Sequence, residues 1–126
     1  MRKIDKSKIL STVYKKWESE CEKDGTYPVK YYSSRNEFYV DVAMNLLHVQ
    51  DGLCAYTEIR LCNRELFAAN QWQDGRYSGS LPHFFGQLEH FDPFLKSSNP
   101  WSWENLFIVH SDINIKVKNR HKVDPV

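Results

Sequence analysis

Four residues in the C-terminal half of the chain could together carry out phosphate chemistry. A carboxylate and a histidine stand side by side at Glu89 and His90, and two asparagines follow at Asn105 and Asn114. All four lie within 26 positions, so one strand–loop–strand–helix unit could gather them. A divalent metal can polarise a phosphodiester while an imidazole deprotonates the attacking water. The constellation therefore predicts hydrolysis of nucleic acid.

The elements that must position these residues can be predicted from the local pattern. Residues 87–91 alternate well enough for a short strand. An aspartate and a proline then turn the chain, and residues 103–109 predict an extended return. Ser111 is a candidate N-cap for a closing helix over about residues 112–120. Two strands, a long loop and a helix would thus surround the four residues.

The chain upstream predicts two helices and irregular structure. An amphipathic apolar pattern indicates a helix over residues 5–23, and a second pattern indicates one over about 35–50, with Asn36 as a possible cap. Residues 53–61 have the composition of a strand, and residues 70–86 predict a loop or an irregular hairpin. The predicted fold class is α+β, with the N-terminal helices packed on the C-terminal unit.

Length and composition indicate one domain, or one domain with a helical extension. Of the 126 residues, 41% are hydrophobic and 14% aromatic, enough for a core, and 26% are charged. No apolar run approaches the roughly 20 residues that span a bilayer, and the N-terminus lacks the apolar segment of a secretory signal. Three cysteines without framework spacing favour a reducing compartment. We therefore expect a cytoplasmic protein.

The formal net charge is +1, but the charged residues are distributed unevenly along the chain. Residues 1–16 carry six Lys or Arg against one acidic residue, and residues 109–126 carry four against two. Residues 17–108 have the opposite balance, seven basic against thirteen acidic. Basic ends could attract a polyanion while the acidic middle supplies metal ligands. The alternative is that these charges are ordinary solvated helix faces.

The motif resembles the HNH, or ββα-metal, endonucleases. Their first strand carries Asp/Glu-His-x-x-Pro, here residues 89–93, and Asn-Leu follows toward the second strand, here residues 105–106. A later Asn or His opens the helix, and Asn114 occupies that position. Residues 52–58, GLCAYTE, look like the Gly-x-Cys-x-Tyr-Cys-Glu element that precedes many bacterial HNH cores. The resemblance implies a ββα-metal nuclease core.

The resemblance also implies a role for each motif residue. His90 would be the general base, since an ordinary imidazole titrates near neutral pH, and Glu89 with Asn114 would bind one divalent metal. Two oxygen ligands leave room for water and phosphate, which suits Mg²⁺ or Mn²⁺. Asn105 would orient the active-site loop and the His90 ring. The closing helix would contact nucleic acid through Lys116, Lys118 and Arg120.

The zinc knuckles of many HNH members are incomplete in this chain. The first Cys-x-x-Cys is CAYT at residues 54–57, and the second is HSDI at residues 110–113. Threonine and isoleucine do not bind zinc, so only Cys54 and His110 remain of four ligands. We expect no structural zinc, with Cys54 acting as a small buried hydrophobe and His110 either exposed or hydrogen-bonded nearby.

Within the family, the chain looks most like the HNH effectors of bacterial anti-phage systems such as Septu and certain retrons. This implies a nuclease core over residues 52–126 after a helical extension over residues 1–51. It also implies antiviral defence, a protein partner such as a defence-system ATPase, and DNA as substrate in preference to RNA. The alternative is a catalytically inactive HNH-fold adaptor that binds nucleic acid or protein. The broken knuckles favour that alternative, and the complete Glu-His/Asn/Asn set argues against it.

Overall fold

The computed structural model describes residues 4–24, 37–80, 84, 86–92 and 101–110. In chain order the helices and strands are α1 (Thr12–Asp24), α2 (Tyr39–Val49), β1 (Trp72–Gln73), β2 (Arg76–Tyr77), β3 (Gln87–His90) and β4 (Leu106–Val109). Short 3₁₀ turns lie at Arg64–Phe67, Ala69–Gln71 and Trp103–Asn105. The strands form two antiparallel pairs, β1–β2 and β3–β4. The predicted α+β class is confirmed.

Some predicted features lie outside the described residues. These are the two candidate caps and the closing helix, that is, Asn36, Ser111 and residues 112–120. Within the described ranges, no helix has both the length and the apolar character needed to cross a membrane.

Helix α1 begins later than the predicted start at residue 5. Residues 4–11 instead form a non-helical arm against α2. The side-chain oxygen of Asn45 accepts the backbone N–H groups of Leu10 at 2.7 Å and of Ser11 at 2.8 Å. The helix prediction is wrong for this arm, because a buried side chain of α2 takes the hydrogen bonds that a preceding helical turn would have taken.

Helix α2 lies within the predicted range of residues 35–50, and its central residues are continuously buried. Gly52 closes its C-terminal end by donating its N–H to the Leu47 carbonyl at 2.8 Å. Gly52 has a φ of +68°, and a Cβ there would lie 2.9 Å from the ring of Phe67. A side chain would therefore be both strained and crowded at this turn.

Residues 53–61 do not form the predicted strand. Leu53 and Arg60 make an isolated antiparallel bridge, and the Cys54 N–H donates to the Ile59 carbonyl at 2.7 Å. Glu58 has a φ of +61°, which turns the chain sharply between them. The strand-like composition reflects a loop folded back on itself. A second correction concerns residues 103–109, whose first three residues form a 3₁₀ turn before the strand.

Of the loop or irregular hairpin predicted over residues 70–86, residues 72–77 form the β1–β2 hairpin, and residues 81–83 and 85 lie outside the described residues. Asp41 of α2 anchors the hairpin by accepting the Tyr77 N–H at 2.8 Å and by pairing with the Arg76 guanidinium at 2.6 Å. Burial raises the pKa of Asp41, while the Tyr77 N–H and Arg76 act in the opposite direction. The paired, hydrogen-bonded carboxylate thus fixes the hairpin to α2.

Among the described residues, one hydrophobic core cluster connects the N-terminal helices to the β3–β4 pair. Its buried members include Tyr14 of α1, Leu46 of α2, Trp101 and Ile108. The Tyr14 hydroxyl donates to the Trp101 carbonyl, and buried Glu18 of α1 accepts the Trp103 N–H. Both halves of the chain therefore contribute to the packing around β4. The boundary between residues 1–51 and 52–126 stays a prediction.

The tip of the hairpin meets the N-terminus of α1 at Gly75. Gly75 has a φ of +79°, its carbonyl accepts the Val13 N–H at 3.4 Å, and a Cβ would lie 2.0 Å from Thr12 Oγ1. Gly79 also has a positive φ, +98°, but a Cβ there would meet no atom within 4 Å. Gly79 is therefore a matched control, because it shares the positive φ of Gly75 but lacks the close contact with α1.

We predict that Gly75→Ala destabilises the protein by about 1–3 kcal/mol more than Gly79→Ala, because only the first substitution adds steric overlap to backbone strain. Urea unfolding of the two variants measures the difference. Adding Thr12→Ala to Gly75→Ala should recover part of the loss, since it removes the overlapping hydroxyl. Equal losses at the two glycines would show that the tip does not pack against α1.

Candidate functional site

Strands β3 and β4 form an antiparallel ribbon that carries three of the four motif residues. Glu89 pairs with Phe107, and His90 pairs with Leu106. Asn105 directly precedes β4 and ends the 3₁₀ turn that leads into it. The ribbon therefore brings Glu89, His90 and Asn105 to one end, as the spacing predicted. Asn114, Lys116, Lys118 and Arg120 lie outside the described residues.

Strand alternation places the two adjacent site residues on opposite faces of the ribbon. Leu88 and His90 are buried, and Gln87 and Glu89 are half-buried. His90 is only 5% exposed. The Glu89 carboxylate folds back along its own strand and accepts the His90 backbone N–H at 3.1 Å. The carboxylate thus lies on the more exposed face of the strand end, and the imidazole lies on the buried face.

Asn105 fixes the chain immediately after β3. Its side-chain oxygen accepts the Asp92 N–H at 2.7 Å, and its side-chain amide donates to the Asp92 carbonyl at 3.0 Å. Its own carbonyl accepts the Phe91 N–H at 2.8 Å. The buried asparagine therefore hydrogen-bonds the backbone of the two residues that follow His90, in the way that a neighbouring strand would. This geometry suits the loop-orienting role that the resemblance implies.

The other edge of β4 is occupied by the end of α2 and the loop that follows. The fully buried Gln50 side chain accepts the Ile108 N–H at 2.8 Å and donates to the Ile108 carbonyl at 2.8 Å. The Ala55 N–H donates to the same carbonyl at 3.1 Å. The buried backbone of β4 is thereby paired on both sides, which fixes the position of the ribbon relative to α2.

A lysine from the N-terminal arm supports the turn that carries Asn105. The Lys6 ammonium donates to the carbonyls of Trp103 and Leu106, one on each side of Asn105. It also lies 4.5 Å from the centre of the Trp103 ring and 4.4 Å from that of Phe107. Burial lowers the pKa of Lys6 to about 8, although the nearby Glu104 and Glu18 carboxylates act in the opposite direction. Lys6 therefore places a partly desolvated cation beneath the ribbon.

The remnant of the first zinc knuckle keeps its sulfur in a polar setting. Cys54 is fully buried, as expected, but its sulfur accepts the His110 backbone N–H at 3.4 Å. Burial raises the pKa of the Cys54 thiol, but hydrogen bonds from the Thr57 hydroxyl and from the N–H groups of His110, Thr57 and Tyr56 outweigh it and lower the pKa. Cys54 is therefore a small buried residue of the hydrophobic core with His110 hydrogen-bonded to it, as predicted, and the loop also directs several donors at its sulfur.

The described residues supply only part of a metal site. Among them, no three His, Cys, Asp or Glu side chains converge as a metal-binding group. Glu89 is the one proposed ligand in this part of the chain, and its half-buried carboxylate lies on the open face of the ribbon. A single protein carboxylate here fits a hard divalent ion that keeps most of its ligands as water and phosphate oxygens.

Three residues that support the site were not predicted from the sequence. Gln50 is a polar residue at the end of an apolar helix, directly before the closing turn, and that position was a usable signal. Glu18 lies four residues after Tyr14 and three before Cys21, on the buried face of α1. The role of Lys6 had no local signal, because it depends on carbonyls about a hundred residues away.

Comparisons with protein-family models, with curated proteins and with solved structures found no match for this chain. The HNH hypothesis therefore rests on the motif residues and on the geometry of the ribbon that carries them.

We predict that Asn105→Ala destabilises the protein by about 1–3 kcal/mol, because it leaves the Asp92 N–H and carbonyl without their partners. Asn105→Asp should not rescue it, since a carboxylate cannot donate to the Asp92 carbonyl. Exposed Asn63, which makes no side-chain cap bond, is the control, and Asn63→Ala should be neutral. Urea midpoints measure all three. A neutral Asn105→Ala would show that the clamp is not formed in solution.

Proposed function

We propose that this protein is a metal-dependent endonuclease with an HNH-type core, hydrolysing phosphodiester bonds of DNA in preference to RNA. The observation that carries the proposal is the β3–β4 register. It joins a carboxylate, a histidine and a loop-clamping asparagine at one end of a two-stranded ribbon. These are the residue types that hydrolysis of a phosphodiester requires, namely a metal ligand, a base and a positioning group.

Each described residue has a distinct task in this proposal. His90 takes a proton from the water that attacks phosphorus. Glu89 and Asn114 would hold a divalent ion, for which the Glu89 carboxylate would exchange its bond to the His90 N–H for the metal. When bound, that ion would polarise the phosphate and stabilise charge on the leaving oxygen. Asn105 keeps the turn after His90 fixed, so that the base and the carboxylate hold their relative positions.

A catalytically inactive nucleic-acid-binding adaptor is the second candidate, and one observation favours it. His90 is 5% exposed, so little of the imidazole is open to an attacking water. An active enzyme must open a path to this ring when substrate binds, whereas an adaptor needs no such path. Defence against phage, a partner ATPase and a cytoplasmic location stay predictions from the sequence under either candidate.

The direct test is cleavage of supercoiled plasmid with Mg²⁺ or Mn²⁺. His90→Ala should lower the rate by roughly 10²–10⁴-fold, the usual contribution of a positioned general base. Glu89→Gln should raise the metal concentration needed for half-maximal rate, because it removes a charged ligand. The control is His48→Ala, since His48 lies on α2 with its ring against Phe67.

Three outcomes separate the candidates. If His90→Ala abolishes cleavage and His48→Ala retains it, the endonuclease is supported. Cleavage that persists in His90→Ala removes His90 from the mechanism. Nucleic-acid binding by the wild-type protein without any metal-dependent cleavage supports the adaptor instead.

A further inference from the structure

Phe91, the residue after the proposed base, is the most exposed large hydrophobic side chain in the described part of the chain, at 62%. Single exposed apolar residues are common on protein surfaces and need no special explanation by themselves. Phe91 differs because its backbone is hydrogen-bonded in place and its ring packs against the ring of Phe107.

The backbone at Phe91 is held on both sides. Its N–H donates to the Asn105 carbonyl at 2.8 Å, and the following residue, Asp92, is bonded through both backbone groups to the Asn105 side chain. The exposed ring is therefore presented on a rigid segment. A backbone that is already ordered loses less conformational entropy when the residue binds a ligand, so the position is preorganised for contact.

The Phe91 ring contacts a second aromatic ring, which in turn lies close to a cation. It meets the ring of Phe107 edge to face, with centroids 6.2 Å apart and planes at 64°. The Phe107 ring in turn lies 4.4 Å from the Lys6 ammonium. An aromatic surface next to a positive charge suits a nucleobase with its phosphate, because the base stacks and the phosphate is attracted to the cation.

A second exposed aromatic residue lies within electrostatic range of Glu89. Tyr56, on the loop that pairs with β4, is 37% exposed. Burial raises the pKa of Tyr56, and the nearby Glu89 carboxylate raises it further. The proposed metal ligand therefore has one exposed aromatic residue two positions along the chain and another within electrostatic range.

The exposed apolar area suits a small ligand better than a protein surface. An aromatic side chain offers roughly 150–250 Å², so Phe91 and Tyr56 together expose far less than the roughly 800 Å² per partner of a stable protein interface. Charged residues interrupt the surface, among them half-buried Glu89 and exposed Glu104. One flat ring face matches the size of one nucleobase.

We propose that Phe91 is a stacking platform for an unpaired base next to the cleaved phosphate, so that the site takes single-stranded DNA. This proposal rests on the proposed nuclease function and specifies its substrate. In a duplex both faces of each base are covered by neighbours, whereas an unpaired base can place one face on the Phe91 ring. The Phe91 ring contacts Phe107, which is the cross-strand partner of Glu89, so a base on this ring leaves its phosphate close to the proposed metal ligand.

The test measures binding of a labelled single-stranded oligonucleotide and of its duplex by fluorescence anisotropy. The protein is the full chain with His90→Ala, which keeps the DNA intact. Adding Phe91→Leu should weaken single-strand binding about 5- to 150-fold, the value of one base stacked on an aromatic ring, and leave duplex binding unchanged. Phe91→Trp should bind single strands as the parent does. Ile59→Ala, at an exposed apolar residue on the loop after Cys54, is the matched control and should change neither affinity.

Several results would overturn the platform. These are unchanged single-strand binding in Phe91→Leu, equal losses on single strand and duplex, or a Phe91-dependent self-association seen by sedimentation without DNA. Cleavage by the chain with native His90 is measured separately, which keeps the two proposals distinguishable. Ring-dependent single-strand binding without cleavage rejects the nuclease and retains the platform. If the chain cleaves single strands and Phe91→Leu does not change the rate, the nuclease is retained and the platform is rejected.

Discussion

The candidate site depends on the double-sided pairing of one four-residue strand. β4 is hydrogen-bonded to β3 along one edge and to Gln50 and Ala55 along the other. Leaving a buried backbone group unpaired costs about 1–3 kcal/mol, so such a short strand is stable only where both neighbours are in place. Gln50 belongs to the helical N-terminal part of the chain, which therefore positions the ribbon on which Glu89 and His90 lie.

Local pattern predicted the elements whose stabilising contacts are also local. The apolar pattern of α2, the alternation in β3 and the Asp-Gly turn of the β1–β2 hairpin each lie within one segment, and all three elements form. Local pattern failed where distant side chains decide the conformation. The arm at residues 4–11 is not helical because Asn45 takes the N–H groups of its last two residues. Residues 53–61 turn back because Cys54 bonds to Ile59 instead of to a neighbouring strand.

In the candidate site, too, the sequence predicted the features that depend on local pairing and not those that depend on distant contacts. Motif spacing was sufficient to predict that Glu89, His90 and Asn105 share one ribbon, because antiparallel pairing relates sequence separation to position. It could not predict that His90 turns toward the core, that Lys6 supports the Asn105 turn, or that the Cys54 sulfur accepts hydrogen bonds. Each of these depends on packing between the two ends of the chain. The roles of Lys116, Lys118 and Arg120 stay predictions from the sequence.

The proposed mechanism requires Glu89 to bind a divalent metal, and a crystal soaked in Mn²⁺ can test this requirement. We expect an anomalous-scattering peak at about 2.1 Å from a Glu89 carboxylate oxygen, the distance typical of small divalent ions, with Asn114 as a further ligand. The bond between Glu89 and the His90 N–H should then be broken. A saturating soak that leaves this bond in place, with Mn²⁺ absent from Glu89, would contradict the metal-dependent mechanism.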